Sequence, residues 1–167
     1  MFGQVTNATV YQDEVDLVGV LKEADLGEIG LMEVEHETLG QIGVAKFPGR
    51  PVQAIEGELT WNYMVEAQMR RMSNPGVLQE LYFHHHVDVF GEAGLSEEKS
   101  HTIVTLIKFF VISNGGMNPK LGEAQNPTST ISIHRFRQGV RGAETPIIDF
   151  DLATTLYQVD GKDVFPA

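Results

Sequence analysis

Residues 84–88 read His84-His85-His86-Val87-Asp88, and they gather more metal-ligating side chains than any other short stretch of the chain. On a β-strand successive side chains point to opposite faces, so His84, His86 and Asp88 line one face at alternate positions. Two imidazoles and a carboxylate in such a row carry the donor atoms that hold zinc or iron. If the following segment returns alongside, His101 lies opposite across the hairpin. The chain would then be a barrel-fold metal-binding protein, or an enzyme working through His84, His86 and Asp88. Two features speak against it. Glu92 stands one position too far for the glutamate that follows a His-x-His pair in the metal-binding barrels of cupins, and no glycine-rich lead precedes the histidines. The plainer reading is a hydrogen-bonded structural or interface role.

Other chemistry is sparse. There is no nucleophile elbow, phosphate loop or paired-carboxylate motif. Gly115-Gly116 is followed by Met117-Asn118-Pro119 and not by a helix, so it builds no phosphate cradle. Glutamates recur at alternate positions in two places, Glu33-Glu35-Glu37 and Glu56-Glu58; such rows are most simply a solvated strand face. Arg70-Arg71 and the pair Arg135 and Arg137 suit acidic groups of another subunit better than nucleic acid. The formal net charge of −11 would repel phosphate and excludes a general nucleic-acid binder. With no cysteine, disulfides and thiolate metal sites are excluded. No apolar run is long enough to span a bilayer, and Met1–Val5 lacks the order of a signal peptide. We expect a soluble protein with no cofactor and no membrane partner.

The segments around the histidines set the architecture. Leu81–Phe90 alternates, with Leu81, Phe83, Val87 and Val89 opposite His84, His86 and Asp88. Thr102–Ile112 is apolar on both faces: Ile103, Ile107, Phe109 and Val111 on one, Val104, Leu106, Phe110 and Ile112 on the other. Such a strand must be covered on both sides, by this chain's core and by a helix or a neighbouring subunit. Gly91–Lys99 reads as the connection between the two strands. Strands are also expected at Asn7–Gln12, Val15–Lys22, within Leu26–Thr38, at Gln53–Tyr63, Thr128–Gln138 and Ile147–Leu152. In Thr128–Gln138, alternation puts Arg135 and Arg137 in line with Ile131 and Ile133. Asp160-Gly161 marks a hairpin turn. Met64–Met72 is the best helix, with Met64, Val65, Gln68, Met69 and Met72 as an apolar stripe. Gly40–Pro51 reads as a long loop, because glycines and prolines break any period, and Ser113–Pro127 as another. We expect a mainly β protomer, a barrel or sandwich with one flanking helix, formed as a single domain over residues 1–167.

Three stretches carry a family likeness: Val5–Asp13, then Leu31-Met-Glu-Val-Glu-His-Glu-Thr-Leu-Gly40 with a glycine-rich loop after it; Ala54–Trp61 leading into the helix; and Ser132–Gln138, Ile147–Asp151 and Tyr157–Phe165. In order and spacing the chain resembles the major tail tube proteins of contractile-tailed bacteriophages and of related pyocin-type particles. It departs from them in its histidine triplet, in the Gly/Asn-rich Ser113–Pro127, and in having no helical tail after the last hairpin.

The resemblance implies a structural virion protein, not an enzyme. Six protomers would close a ring whose sheets line a channel. Stacked rings would make the inner tail tube, surrounded by sheath and bounded by baseplate and terminator proteins. DNA would cross the channel into the host without specific binding. It also implies assembly in the host cytoplasm and residence in the phage tail; a tailocin or secretion-system tube shares the plan. By position, the loop that reaches an adjacent ring maps to Leu39–Pro51, with Leu39, Ile42, Val44, Phe47 and Arg50 as its contact residues. Rows of glutamate suit a bore through which a polyanion must slide, and Glu33, Glu35, Glu56 and Glu58 are assigned to it.

Overall fold

The structure is a computed structural model that describes residues 1–12, 15–17, 20–40, 42–116, 121–122 and 126–165. The strands are β1 (Phe2–Gln12), β2 (Val15–Asp16), β3 (Leu21–Asp25), β4 (Leu31–His36), β5 (Ala45–Val52), β6 (Ile55–Trp61), β7 (Gln79–Gly91), β8 (Gly94–Asn114), β9 (Thr128–Val140), β10 (Ile148–Asp151), β11 (Leu156–Val159) and β12 (Lys162–Asp163), with one helix, α1 (Glu66–Met72), between β6 and β7. Ten strands form one antiparallel sheet in the order β12-β11-β10-β9-β8-β7-β1-β2, and β3-β6 joins it along β9. One edge of β9 is shared: Thr128–Ile133 takes β6, and Arg135–Gln138 takes β10. β4 and β5 pair with each other and stand outside this sheet.

The centre is the hairpin of β7 and β8. On the core face Leu81 lies opposite Ile107, and Ile107 opposite Phe136. Leu81, Ile107, Phe109, Ile131, Ile133, Ile55 and Leu59 are buried with Trp61, Met64 and Met72. On the other face of β8, Val104, Leu106 and Phe110 stay half-buried and Ile112 is exposed. The second cover that a doubly apolar strand calls for is not supplied here by the described part of this chain.

Several segments differ from the pattern reading. β7 and β8 turn through Glu92-Ala93 alone, with Gly91 opposite Gly94, so most of Gly91–Lys99 belongs to the strands. The extra residues of β8 are absorbed in a wide bulge, where the Ser100 hydroxyl accepts the Val89 N–H at 3.1 Å and donates to the Ser96 carbonyl at 2.7 Å. β1 begins at Phe2, five residues before the expected Asn7, because β7 is long enough to pair with it throughout. Gly40–Pro51 is not one loop: Ala45–Val52 is strand β5, its Pro48 and Pro51 tolerated on an edge where proline breaks no ladder of a larger sheet. Of Ser113–Pro127, Ser113 and Asn114 end β8, and residues 117–120 and 123–125 lie outside the described part.

A bulge also corrects the arginines. Ile133 faces Phe109, but Arg135 faces Lys108, so His134 is an extra residue in β9. From there alternation inverts. Phe136 joins the core edge, while Arg135 and Arg137 move to the face opposite Ile131 and Ile133. The helix and the final turn agree with expectation. Met64, Gln68 and Met72 are buried, although Met69 is partly exposed. Asp160 and Gly161 both have positive φ, 51° and 73°, as a two-residue hairpin turn of this hand requires.

Candidate functional site

The β4–β5 hairpin forms an arm. Leu31 pairs with Val52 at its base and His36 with Ala45 near its tip. The base is fastened by the Gln53 N–H to the Gly30 carbonyl at 2.8 Å and by Arg50, whose guanidinium lies 5.8 Å from the centroid of the Phe165 ring. The arm has two unlike faces. Glu33 and Glu35 share Lys46, at 2.9 and 3.6 Å. The hydrogen bond it donates to Glu33, then the charge of Glu33, holds the Lys46 ammonium above the ordinary lysine range. On the other face Val34 pairs with Phe47, and the His36 ring meets Phe47 edge-on at 5.4 Å. Val34, Val44 and Phe47 are exposed, and Leu39 and Ile42 at the tip are fully exposed. An isolated two-stranded hairpin is marginal in water, and a cluster of bare apolar side chains marks a contact surface.

The four assigned glutamates do not form one wall. Glu33 and Glu35 lie on the arm, whereas Glu56 and Glu58 lie on β6 in the large sheet. The neighbours of β6 are β3 and β9, so Glu58 faces Asp25 on one side and Thr130 on the other. Glu23 pairs with Thr60 on the same face. Glu23, Asp25, Glu56 and Glu58 thus make an exposed acidic patch, and among the described residues none of them is ion-paired. The share of β3 was missed in the sequence; the alternation Glu23-Ala24-Asp25 was the available signal. β3 lies close to β6 because Gly27, at φ +66°, turns against the Glu56 carbonyl, where a Cβ would come within 2.2 Å.

Farther along the same side of the sheet the charges neutralise one another. Lys108 lies 3.4 Å from Glu80, and Arg135 lies 3.8 Å from Asp149 and 3.9 Å from Asp151. Tyr82 donates to Glu80, and that bond, with burial next, raises its phenol above the ordinary range.

The histidines are held as structure. His84, His86 and Asp88 do share a face, but both nitrogens of His86 are engaged: Nε2 lies 3.1 Å from Asp88 and Nδ1 lies 3.0 Å from the Thr102 hydroxyl. His84 meets the edge of Tyr11 at 5.5 Å. His101 lies opposite Val87 and so on the other face, out of reach of the pair. Among the described residues no group of three or more histidines and carboxylates is placed to hold a metal.

His85 points to the core side, opposite Ala8 and Ile103. Burial, then the charge of nearby His101, lowers its pKa from 6.5. The fold favours its neutral form, so the unfolded chain binds the extra proton. That contribution to stability is complete above the unfolded pKa and is lost as pH falls through the depressed folded one. The melting temperature is therefore expected to drop between pH 7.5 and pH 5, and His85→Leu to narrow the drop, as calorimetry at the two pH values would show.

An arm bare of cover, a doubly apolar hairpin and an unpaired acidic face describe a subunit made for assembly. The sequence matches the family described as phage tail tube protein FII over residues 3–167. The chain belongs to that family. It is a structural tail tube protein, and mostly β. No curated protein matches it in sequence. Its fold is similar to that of several solved chains, three of which follow. One is from the sheath–tube complex of PVC, an extracellular contractile injection system, in the extended state, at 10% identity and TM-score 0.52, covering 80% of this chain and 88% of that one. Another is from the sheath/tube terminator of PVC, at 12% identity and TM-score 0.52, covering 81% and 94%. The third is from the tube-terminating cap of the anti-feeding prophage, at 14% identity and TM-score 0.52, covering 80% and 87%. These likenesses do not favour the barrel metal-binding alternative.

Proposed function

We propose that six copies of this tail tube protein close a ring and that rings stack into the inner tube of a contractile tail. The observation that carries this reading is the β4–β5 arm, whose apolar residues have no cover from the described part of the chain. A second bare surface, the half-covered side of β8, suits another copy of the chain. Residues 1–167 act as one unit, with the segment 39–51 reaching the next ring through Leu39, Ile42, Val44 and Phe47, and with Arg50 at the root. The work is structural and involves no catalysis. The tube lies inside a sheath, is bounded by baseplate and terminator proteins, and is assembled in the host cytoplasm before it joins the virion. Gene neighbours separate a phage from a tailocin or secretion tube, since only a phage encodes a capsid beside its tail.

DNA passes through the bore without specific binding. Glu56 and Glu58, extended by Glu23 and Asp25, suit its wall, because fixed anions repel phosphate and leave nothing to trap it. Glu33 and Glu35, bridged by Lys46 on a different sheet, belong to the arm. Negative-stain microscopy of the purified protein is expected to show rings or tubes, and a protein monomeric at high concentration would refute the reading. Glu56→Lys with Glu58→Lys is expected to leave tubes intact yet lower DNA delivery by about tenfold or more, as each added cation binds phosphate. Unchanged infectivity would place these residues away from the bore.

A further inference from the structure

Beside the β9–β10 connection lies a groove of about 300 Å³. Val104, Leu106, Gly139 and Pro146 line it, with Arg137 and Arg141. It occupies the side of the sheet where β8 lacks cover, and both arginines are exposed. Among the described residues neither guanidinium lies within ion-pair distance of a carboxylate, in contrast to Arg135 between Asp149 and Asp151. Across the β9–β10 register Arg137 faces Asp149, whose carboxylate lies by Arg135 instead. An apolar floor with two exposed arginines that form no ion pair among the described residues fits a partner that brings aliphatic side chains flanked by carboxylates.

This chain carries such a segment. The arm ends in Leu39 and Ile42, both fully exposed, and Glu37 stands two residues before Leu39 with no basic partner among the described residues. Glu33 and Glu35 have one lysine between them. We infer that the tip of the β4–β5 arm of one copy seats in the Arg137–Arg141 groove of a second copy. The inference rests on the reading of the arm as an inter-ring contact and adds its socket.

Two arguments favour a second copy as the occupant. Copies that each carry a charge of −11 repel at a distance, so a contact between them is best made where opposite charges face. The hook and the socket are also different surfaces of one chain. Such a head-to-tail contact generates an open-ended stack in place of a closed dimer, which is what tube growth needs.

The test is charge reversal in tube assembly, read by sedimentation and negative stain. Arg137→Glu with Arg141→Glu, and separately Glu35→Arg with Glu37→Arg, are each expected to raise the concentration needed for tubes by about tenfold or more. Combining the four changes is expected to restore assembly most of the way. If both reversals assemble like the wild type while the arm variant Leu39→Ser/Ile42→Ser does not, the socket is wrong and the arm reading stands. If that arm variant also assembles normally, the arm reading falls with it. Impaired reversals that the combination fails to rescue would equally overturn the pairing. A second measurement uses the absence of native cysteine. Oxidised tubes of the Leu39→Cys/Ala143→Cys protein are expected to give a ladder beyond dimer on a non-reducing gel; no more linkage than in the two single variants would overturn the proposal.

Discussion

Tubes are expected to disappear when Leu39 and Ile42 are both replaced by serine, while the protomer keeps its fold. Both side chains are fully exposed at the tip of an arm that pairs with no other strand of the described chain, so their removal opens no cavity and breaks no core contact. In the assembled tube they would be desolvated. Burying an aliphatic side chain of this size stabilises by about 1.5–3 kcal/mol, so two of them are worth a few kcal/mol per contact. In the proposed tube each contact would recur around every ring, and the losses would add. Circular dichroism and melting are expected to match the wild type, with sedimentation finding only small species. Normal tubes from this variant would remove the arm from the assembly.

The second large effect lies in the core. Trp61 is fully buried, and its Nε1–H donates to the Ser129 hydroxyl at 3.2 Å, which in turn donates to the Asn114 side-chain Oδ1 at 2.9 Å. That chain of bonds joins the ends of β6, β8 and β9. Trp61→Ala is expected to cost about 3–5 kcal/mol, through lost burial and the cavity left behind. Native domains are stable by only about 5–15 kcal/mol, so the variant is expected to be poorly folded at 37 °C. Ser129→Ala leaves the packing intact but strands the indole donor, at about 1–3 kcal/mol. Urea titration followed by tryptophan fluorescence reads Ser129→Ala, and circular dichroism reads Trp61→Ala. Equal losses for the two would mean that the hydrogen bond, not the ring, holds this corner.

Much of the sheet could be read along the chain because its signals are local. The alternation of Leu81–Phe90, the apolar pair of faces in Thr102–Ile112, and Asp160-Gly161 each depend on side-chain period or turn preference within a few residues. Interruptions were harder. Nothing in His134 itself announces a bulge, since the extra residue is defined by what β8 offers opposite it; reading straight alternation through it put Arg135 and Arg137 on the wrong face. Gly40–Pro51 failed similarly. Its prolines and glycines hide a period, yet β4 supplies an edge with which Ala45–Val52 can pair.

The candidate surfaces divide along the same line. By itself the sequence determined the exposed chemistry: an acidic chain with no cysteine, glutamates at alternate positions, and apolar residues in a stretch poor in other structure. It also carried the family likeness, because order and spacing survive along a linear chain. Which rows become neighbours was decided only by the tertiary fold. Strand pairing set Glu58 beside Asp25 and not beside Glu33, turned His101 away from His86, and brought Arg137 and Arg141 to one groove. Each of these contacts joins residues distant in sequence, and their side-chain periods alone contain no record of which strand lies alongside which.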